Sequence, residues 1–218
     1  MVENNSTDDW EDIADEGTTG SLGCIERWRN AGPEERKKMF ALFDESGSFI
    51  ASCRHRMVLL VCDMIKSGEL YVTFHQSCFC ADLGPRAKYA LAIVDRLIDI
   101  LGSKIGCAYD IGCAFSKTLE NSSLSEKVKN SLFRVMVGAF HGHAHNRACQ
   151  LEWHPLYIQG TGHSEGEGCE HIFSSSNDLA RGTRHATRFH RHQAIEEHFA
   201  FWDQDKYANL STDFCDYI

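Results

Sequence analysis

The stretch from residue 87 to residue 110 constrains this chain most. Residues 87–101 (AKYALAIVDRLIDIL) set Ala90, Ile93, Val94, Leu97 and Ile100/Leu101 on one stripe and leave Asp95, Arg96 and Asp99 off it. That pattern predicts an amphipathic helix, stopped by Gly102. A short apolar run at 105–109 follows and ends at Asp110. A helix with one apolar face has to lie on another apolar layer, and a strand directly after it indicates a sheet-and-helix architecture.

The flanking segments extend this pattern. Residues 48–52 and 57–64 are β-prone runs joined by Arg54-His55-Arg56, which predicts a hairpin. Helices are expected at 24–43, with Pro33 in the first turn, and at 125–132 after a Ser-rich start; 133–140 reads as a further strand. Hairpin, helix, strand, helix, strand and helices in that order suit an α/β domain with a mixed sheet flanked by helices. At 218 residues the chain has room for one domain with a core, or one domain and a tail.

Charge divides the chain unevenly. Residues 1–20 hold seven acids and no base, and without them 24 acids face 22 bases. An acidic, solvated arm at 1–20 is therefore expected ahead of a nearly neutral body. The longest apolar run, 57–62, falls far short of the roughly 20 residues of a bilayer crossing, so no membrane partner is expected. The first residues lack a basic and an apolar signal region, and an intracellular location follows as the expectation. There, ten cysteines read as thiols or metal ligands rather than disulfides.

Four groups of residues could carry chemistry. Asp110 closes the run IGCAYD, so its carboxylate is expected at a strand end, where α/β sheets place functional groups; a turn-forming Asp is the plain alternative. In FHGHAHNRACQ, His141, His145 and Cys149 recur every four residues, which on one helix puts two imidazoles and a thiol on a shared face, suited to zinc or to a packed His/Cys cluster. In SEGEGCEHIFSSSN, Cys169, Ile172 and Phe173 form the apolar stripe of a helix with Glu170 at its edge and Glu167 three residues earlier. Asp110 and Glu170 on separate elements are the type of pair that converges on hard divalent cations. Finally, residues 181–192 carry four Arg, three His and no acid, and Arg184, Arg188 and Arg191 at spacings of four and three could meet phosphates or form a solvated helix face.

The ordered blocks SGSFIASCRHRMVLLVCDMIKSGEL, AKYALAIVDRLIDILG, YDIGCAF, AFHGHAHNRACQ, HPLYIQGTG, GCEHIFSSSN and FWDQDKYANL resemble the Kyakuja-Dileera-Zisupton (KDZ) transposases abundant in mushroom-forming fungi. The resemblance covers roughly residues 24–210. It implies an RNase H-like fold of the retroviral integrase and transposase type, with metal-dependent DNA strand cleavage and transfer by a D-D-E carboxylate set. GCEHIFS is also similar to the glutamate-bearing helix of hAT transposases. On that resemblance Asp110 and Glu170 are the catalytic, Mg2+- or Mn2+-holding acids, with Glu167 in reserve. His141, His145 and Cys149 match an H-x-x-x-H-x-x-x-C block with a structural or Zn2+ role.

The implied organisation is an acidic arm at 1–20, a partial RNase H-like transposase domain at 21–210 and a tail at 211–218. The implied partners are transposon-end and target DNA in the nucleus, contacted by Arg184, Arg188 and Arg191, with homo-oligomerisation left open. Two departures set the expectations for activity. The family's leading aspartate lies on a strand upstream of residue 24, so the domain reads as incomplete, and residues 71–86 read as an insert, either a surface loop or a translated intron. A truncated or inactive transposase is the first reading. A catalytically silent, transposon-derived DNA-binding or interaction protein, with or without zinc, is the alternative.

Overall fold

The computed structural model describes residues 44–65 and 87–215. The expected acidic arm, the helix at 24–43 and the insert at 71–86 lie outside the described residues.

The hairpin forms as the apolar runs require. β1 (Glu45–Ser52) pairs antiparallel with β2 (Val58–Ile65), with Phe49 opposite Cys62 and Ile50 opposite Val61. Cys53 N–H donates to Met57 O and Arg56 N–H to Cys53 O, and Arg56 closes the turn in the left-handed region at φ 67°. A three-residue loop ending in a left-handed residue is a common hairpin connection. α1 (Ala87–Leu101) has the expected bounds and buries Ala90, Ile93, Val94 and Leu97. Its last apolar contact is Ile98 rather than Ile100 or Leu101, which are half exposed. Ile98 stacks one turn beyond Val94 and stays on the same stripe.

β3 (Gly106–Ala108) runs parallel to β4 (Arg134–Met136), with α2 (Gly112–Glu120) and α3 (Ser125–Asn130) between them. The main core lies where α1 meets these elements, through Val94 and Ile98 on one side and Phe115, Leu119, Phe133 and Val135 on the other. The expected strand at 133–140 ends at Met136. Val137 N–H turns to Trp153 O and Ala139 N–H to Glu165 O, so the backbone leaves the ladder. The chain then forms two short helices, α4 (Ala139–Gly142) and α5 (Arg147–Trp153), and a 3-10 turn (Pro155–Tyr157).

α6 (Gly168–Thr183) and α7 (Arg188–Cys215) complete the described chain, and α7 runs past residue 210. Both pack on the hairpin. Ile172, Ile50 and Phe199 form a separate core cluster, Asp203 accepts from Val58 N–H, and Trp202 Nε1–H donates to Arg56 O.

The architecture is mixed α/β, with helices around small sheets. The expected single mixed sheet is, among the described residues, two separate pairs, β1–β2 and β3–β4. The hairpin rests on α6 and α7, and it meets the parallel pair through side chains, with the Phe49 and Tyr109 rings 6.1 Å apart. A cleft of about 1840 Å3 opens between β1, α1, β3 and α6.

Candidate functional site

Asp110 is placed by the end of β3. Tyr109 N–H still donates to Met136 O, and Gly112 N–H then donates to Tyr109 O, turning the chain into α2. The turn is tight enough that a Cβ on Gly112 would lie 2.3 Å from Met136 O. Asp110 sits at this corner with its side chain 43% exposed toward the cleft. Glu170 reaches the same place from the first turn of α6, held by the burial of Ile172 against the hairpin.

His141 lies between them. Its Nε2 is 3.6 Å from Asp110 Oδ2 and 3.9 Å from Glu170 Oε1. Its Nδ1 is 2.9 Å from Glu167 Oε2, and because a carboxylate only accepts, Nδ1 carries the proton. Glu167 Oε1 accepts from Phe140 N–H at 2.8 Å and His141 N–H at 3.3 Å. One largely buried carboxylate thus holds both the start of α4 and the ring of His141. Gly138 makes room for it, since a Cβ there would stand 2.3 Å from Glu167 Oε1.

The ionisation of these groups follows from their packing. Burial pushes the Asp110 carboxyl above its ordinary value, opposed by His141 and reinforced by Glu170 and Glu167. The Glu167 hydrogen bond raises His141 above the usual imidazole value, against burial and with help from Asp110 and the other acids. For Glu167, burial pushes upward but is outweighed by the His141 hydrogen bond and charge and by the two backbone donors, so its pKa is lowered. His141 therefore gains affinity for its proton beside the converging carboxylates.

Asp110, His141 and Glu170 offer one ligand atom each within 4.8 Å of one another. Two hard oxygens and one imidazole nitrogen fit a single divalent cation, and the nitrogen suits Mn2+ better than Mg2+. Glu167 is less accessible than Glu170, with its side chain 11% exposed against 43%, and it holds the His141 ring.

The structure separates His141 from the other members of the expected triad. One helix through 141–149 would align His141, His145 and Cys149, but α4 stops at Gly142 and Asn146 caps a new helix by accepting from Cys149 N–H at 2.9 Å. His145 and Cys149 instead meet Cys113 of α2, and all three are buried. Cys113 and the His141–Glu167 pair are contacts that sequence spacing did not reveal. No local period links residues 26 to 36 apart on different elements.

The arginines also divide. α6 ends at Thr183 and α7 begins at Arg188, so the three do not lie on one helix. Arg191 is 15% exposed and binds Glu45 Oε2, Asp63 Oδ1 and Ser48 Oγ, which makes it an internal anchor between α7 and the hairpin. Arg188, at 71% exposure, pairs with Glu45 Oε1 at 2.7 Å and keeps most of its surface open. Arg184 is exposed, and Arg181, Arg184 and Arg188 line the cleft that contains Asp110 and Glu170.

The cleft thus combines converging carboxylates with exposed arginines. The family model for the Kyakuja-Dileera-Zisupton transposase matches residues 1–203, and the chain belongs to that family. Neither the curated proteins nor the solved structures yield a match. No helix among the described residues is long and apolar enough to cross a membrane.

Proposed function

We propose that this chain is part of a D-D-E-type transposase domain, lacking the leading aspartate of that set, in which Asp110 and Glu170 hold a divalent cation of the kind that serves DNA strand cleavage and transfer, with His141 as third ligand. The observation that carries this reading is the convergence on His141 Nε2 of Asp110 Oδ2 and Glu170 Oε1, two acids that line a cleft shared with Arg184 and Arg188. A strand-end aspartate beside a parallel pair, facing an acid on a later helix, also supports an RNase H-like fold for residues 21–210. Work on DNA implies a nuclear location.

The chain's own groups have defined tasks. Burial and the neighbouring acids make a charged Asp110 costly in the absence of a cation, so the site favours a cation that relieves the repulsion. Glu167 holds the Nδ1 proton of His141 and aims Nε2 at the two acids. Cation binding then requires loss of the Nε2 proton, so it releases a proton. Arg184 and Arg188 meet backbone phosphates and orient the strand. A bound divalent cation supplies charge stabilisation at the phosphodiester oxygens and lowers the pKa of its water.

The test is nicking and strand transfer on plasmid DNA with Mn2+ or Mg2+. Activity that falls to background in both Asp110→Asn and Glu170→Gln supports the assignment, and activity surviving in both removes these residues from the mechanism. The open arginine rim favours a second reading, DNA binding without cleavage. Salt-dependent binding by the parent protein with no nicking in either metal would select it.

A further inference from the structure

The Cys113, His145 and Cys149 cluster lies behind the carboxylate site and takes no part in it. The geometry points to a zinc site formed by Cys113 Sγ, Cys149 Sγ and His145 Nδ1 that pins the backbone of Asp110.

Three observations lead there. First, the ligand atoms all lie within 4.8 Å of one another, and the residues carrying them are 2%, 5% and 2% exposed. Second, the sulfur-to-nitrogen distances are 3.5 Å from Cys113 and 3.2 Å from Cys149. Tetrahedral zinc with Zn–S near 2.3 Å and Zn–N near 2.0 Å separates S from N by about 3.5 Å. The three side chains are therefore spaced to fill three of the four positions of a tetrahedral ion. Third, His145 Nε2 lies 2.9 Å from Asp110 O, a carbonyl that can only accept. Nε2 must carry the proton, leaving Nδ1 as the bare nitrogen facing the two sulfurs.

This is the arrangement zinc-bound histidines use, in which the second ring nitrogen donates to a backbone carbonyl and fixes tautomer and ring plane. The surroundings hold it in place. Asn146 caps α5 at Cys149 N–H, and Gln150 Nε2 donates to His145 O at 2.9 Å. Ile111, Ala114 and Val137 pack around the cluster with Tyr109 and Trp153. The alternative is thiols hydrogen-bonded to the imidazole, which would hold no metal. A soft divalent ion satisfies both thiolates and the nitrogen at once. The ion links α2 to α5, and through His145 it fixes the peptide that carries Asp110.

The experiment is metal analysis of the purified full chain, followed by replacement of the bound metal with Co2+. About one zinc per chain is expected, with a thiolate-to-cobalt charge-transfer band in the near ultraviolet. The carboxylate site has no sulfur and cannot produce that band. Cys113→Ser and Cys149→Ser each weaken the band, while His141→Ala leaves it intact. Where a serine variant does not fold, the parent protein decides, by the band and by the drop in melting temperature when a chelator strips the metal. Parent protein that takes up neither zinc nor cobalt in stoichiometric amount overturns the proposal, as does a cobalt spectrum lacking the thiolate band. Neither outcome depends on DNA cleavage, so the zinc site can fail while the transposase reading stands, and the reverse.

Discussion

Replacing Glu167 with Gln tests whether the site rests on this residue. The glutamine amide oxygen can still accept from Phe140 N–H and His141 N–H, but its NH2 group then takes the place of Oε2 opposite His141 Nδ1. The charge-assisted bond at 2.9 Å is lost, and the neutral ring changes tautomer so that Nδ1 accepts and Nε2 carries the proton. A hydrogen bond to a charged group contributes about 1.5–3 kcal/mol. In a domain of this size each kcal/mol moves the melting temperature by about 2–4 °C, so Glu167→Gln should melt about 3–12 °C lower. The pH window follows from the shifts. The raised pKa of His141 makes its contribution complete below the unfolded value of 6.5 and lost as pH rises through the folded one, with Asp110, Glu167 and Glu170 all facing the ring. The lowered pKa of Glu167 makes its contribution present above the unfolded value of 4.5 and lost as pH falls through the folded one. The gap between parent and variant is therefore widest between those two values. Thermal melts across pH without added divalent cation, with 15N histidine spectra for the tautomer, provide the assay. Melting within about 1 °C of the parent at pH near 5.5, together with an unchanged tautomer of the neutral ring at a pH above the raised His141 pKa, would refute the strut and return Glu167 to the set of candidate ligands.

Further outcomes test the frame around the site. Gly138→Ala drives a Cβ into Glu167 and should reproduce the Glu167→Gln tautomer change with Glu167 intact, read by the same spectra. Ile172→Ala, at a position with no exposure, should lower unfolding free energy in denaturant by about 2–5 kcal/mol, because α6 loses its anchor on the hairpin. Arg191→Ala should destabilise the fold without changing the salt slope of DNA binding, whereas Arg184→Ala should leave the melt unchanged and reduce that slope by about 1. Burial pushes the Cys107 thiol up to about 12, so at pH 8 it should alkylate more than about 10-fold more slowly than an ordinary thiol, measured by mass spectrometry of the native protein.

Local pattern carried much of the fold. The hairpin, α1 and α3 were legible because period-2 and period-3.6 patterns and turn residues act within one element. α2 was not, because GCAFSKTLE is short and its packing against β4 and α1 makes it a helix. The strand run at 133–140 and the helix through 141–149 failed for a related reason. Pattern extends an element until a breaker appears, while here hydrogen bonds from distant partners, Trp153 O and Glu165 O, ended β4 early.

For the site, the sequence by itself determined the chemistry available: a carboxylate at the end of an apolar run, acids at the head of a helix, an imidazole and a thiol four residues apart, and arginines without acids between them. Tertiary structure decided how these groups are shared out. It moved His141 from the thiols to the acids, brought Cys113 to His145 and Cys149, made Glu167 a strut and turned Arg191 inward against Glu45 and Asp63. Hydrogen bonds and ion coordination act over about 3 Å, and only the packing of α2, α4, α5 and α6 around the end of β3 brings these residues that close.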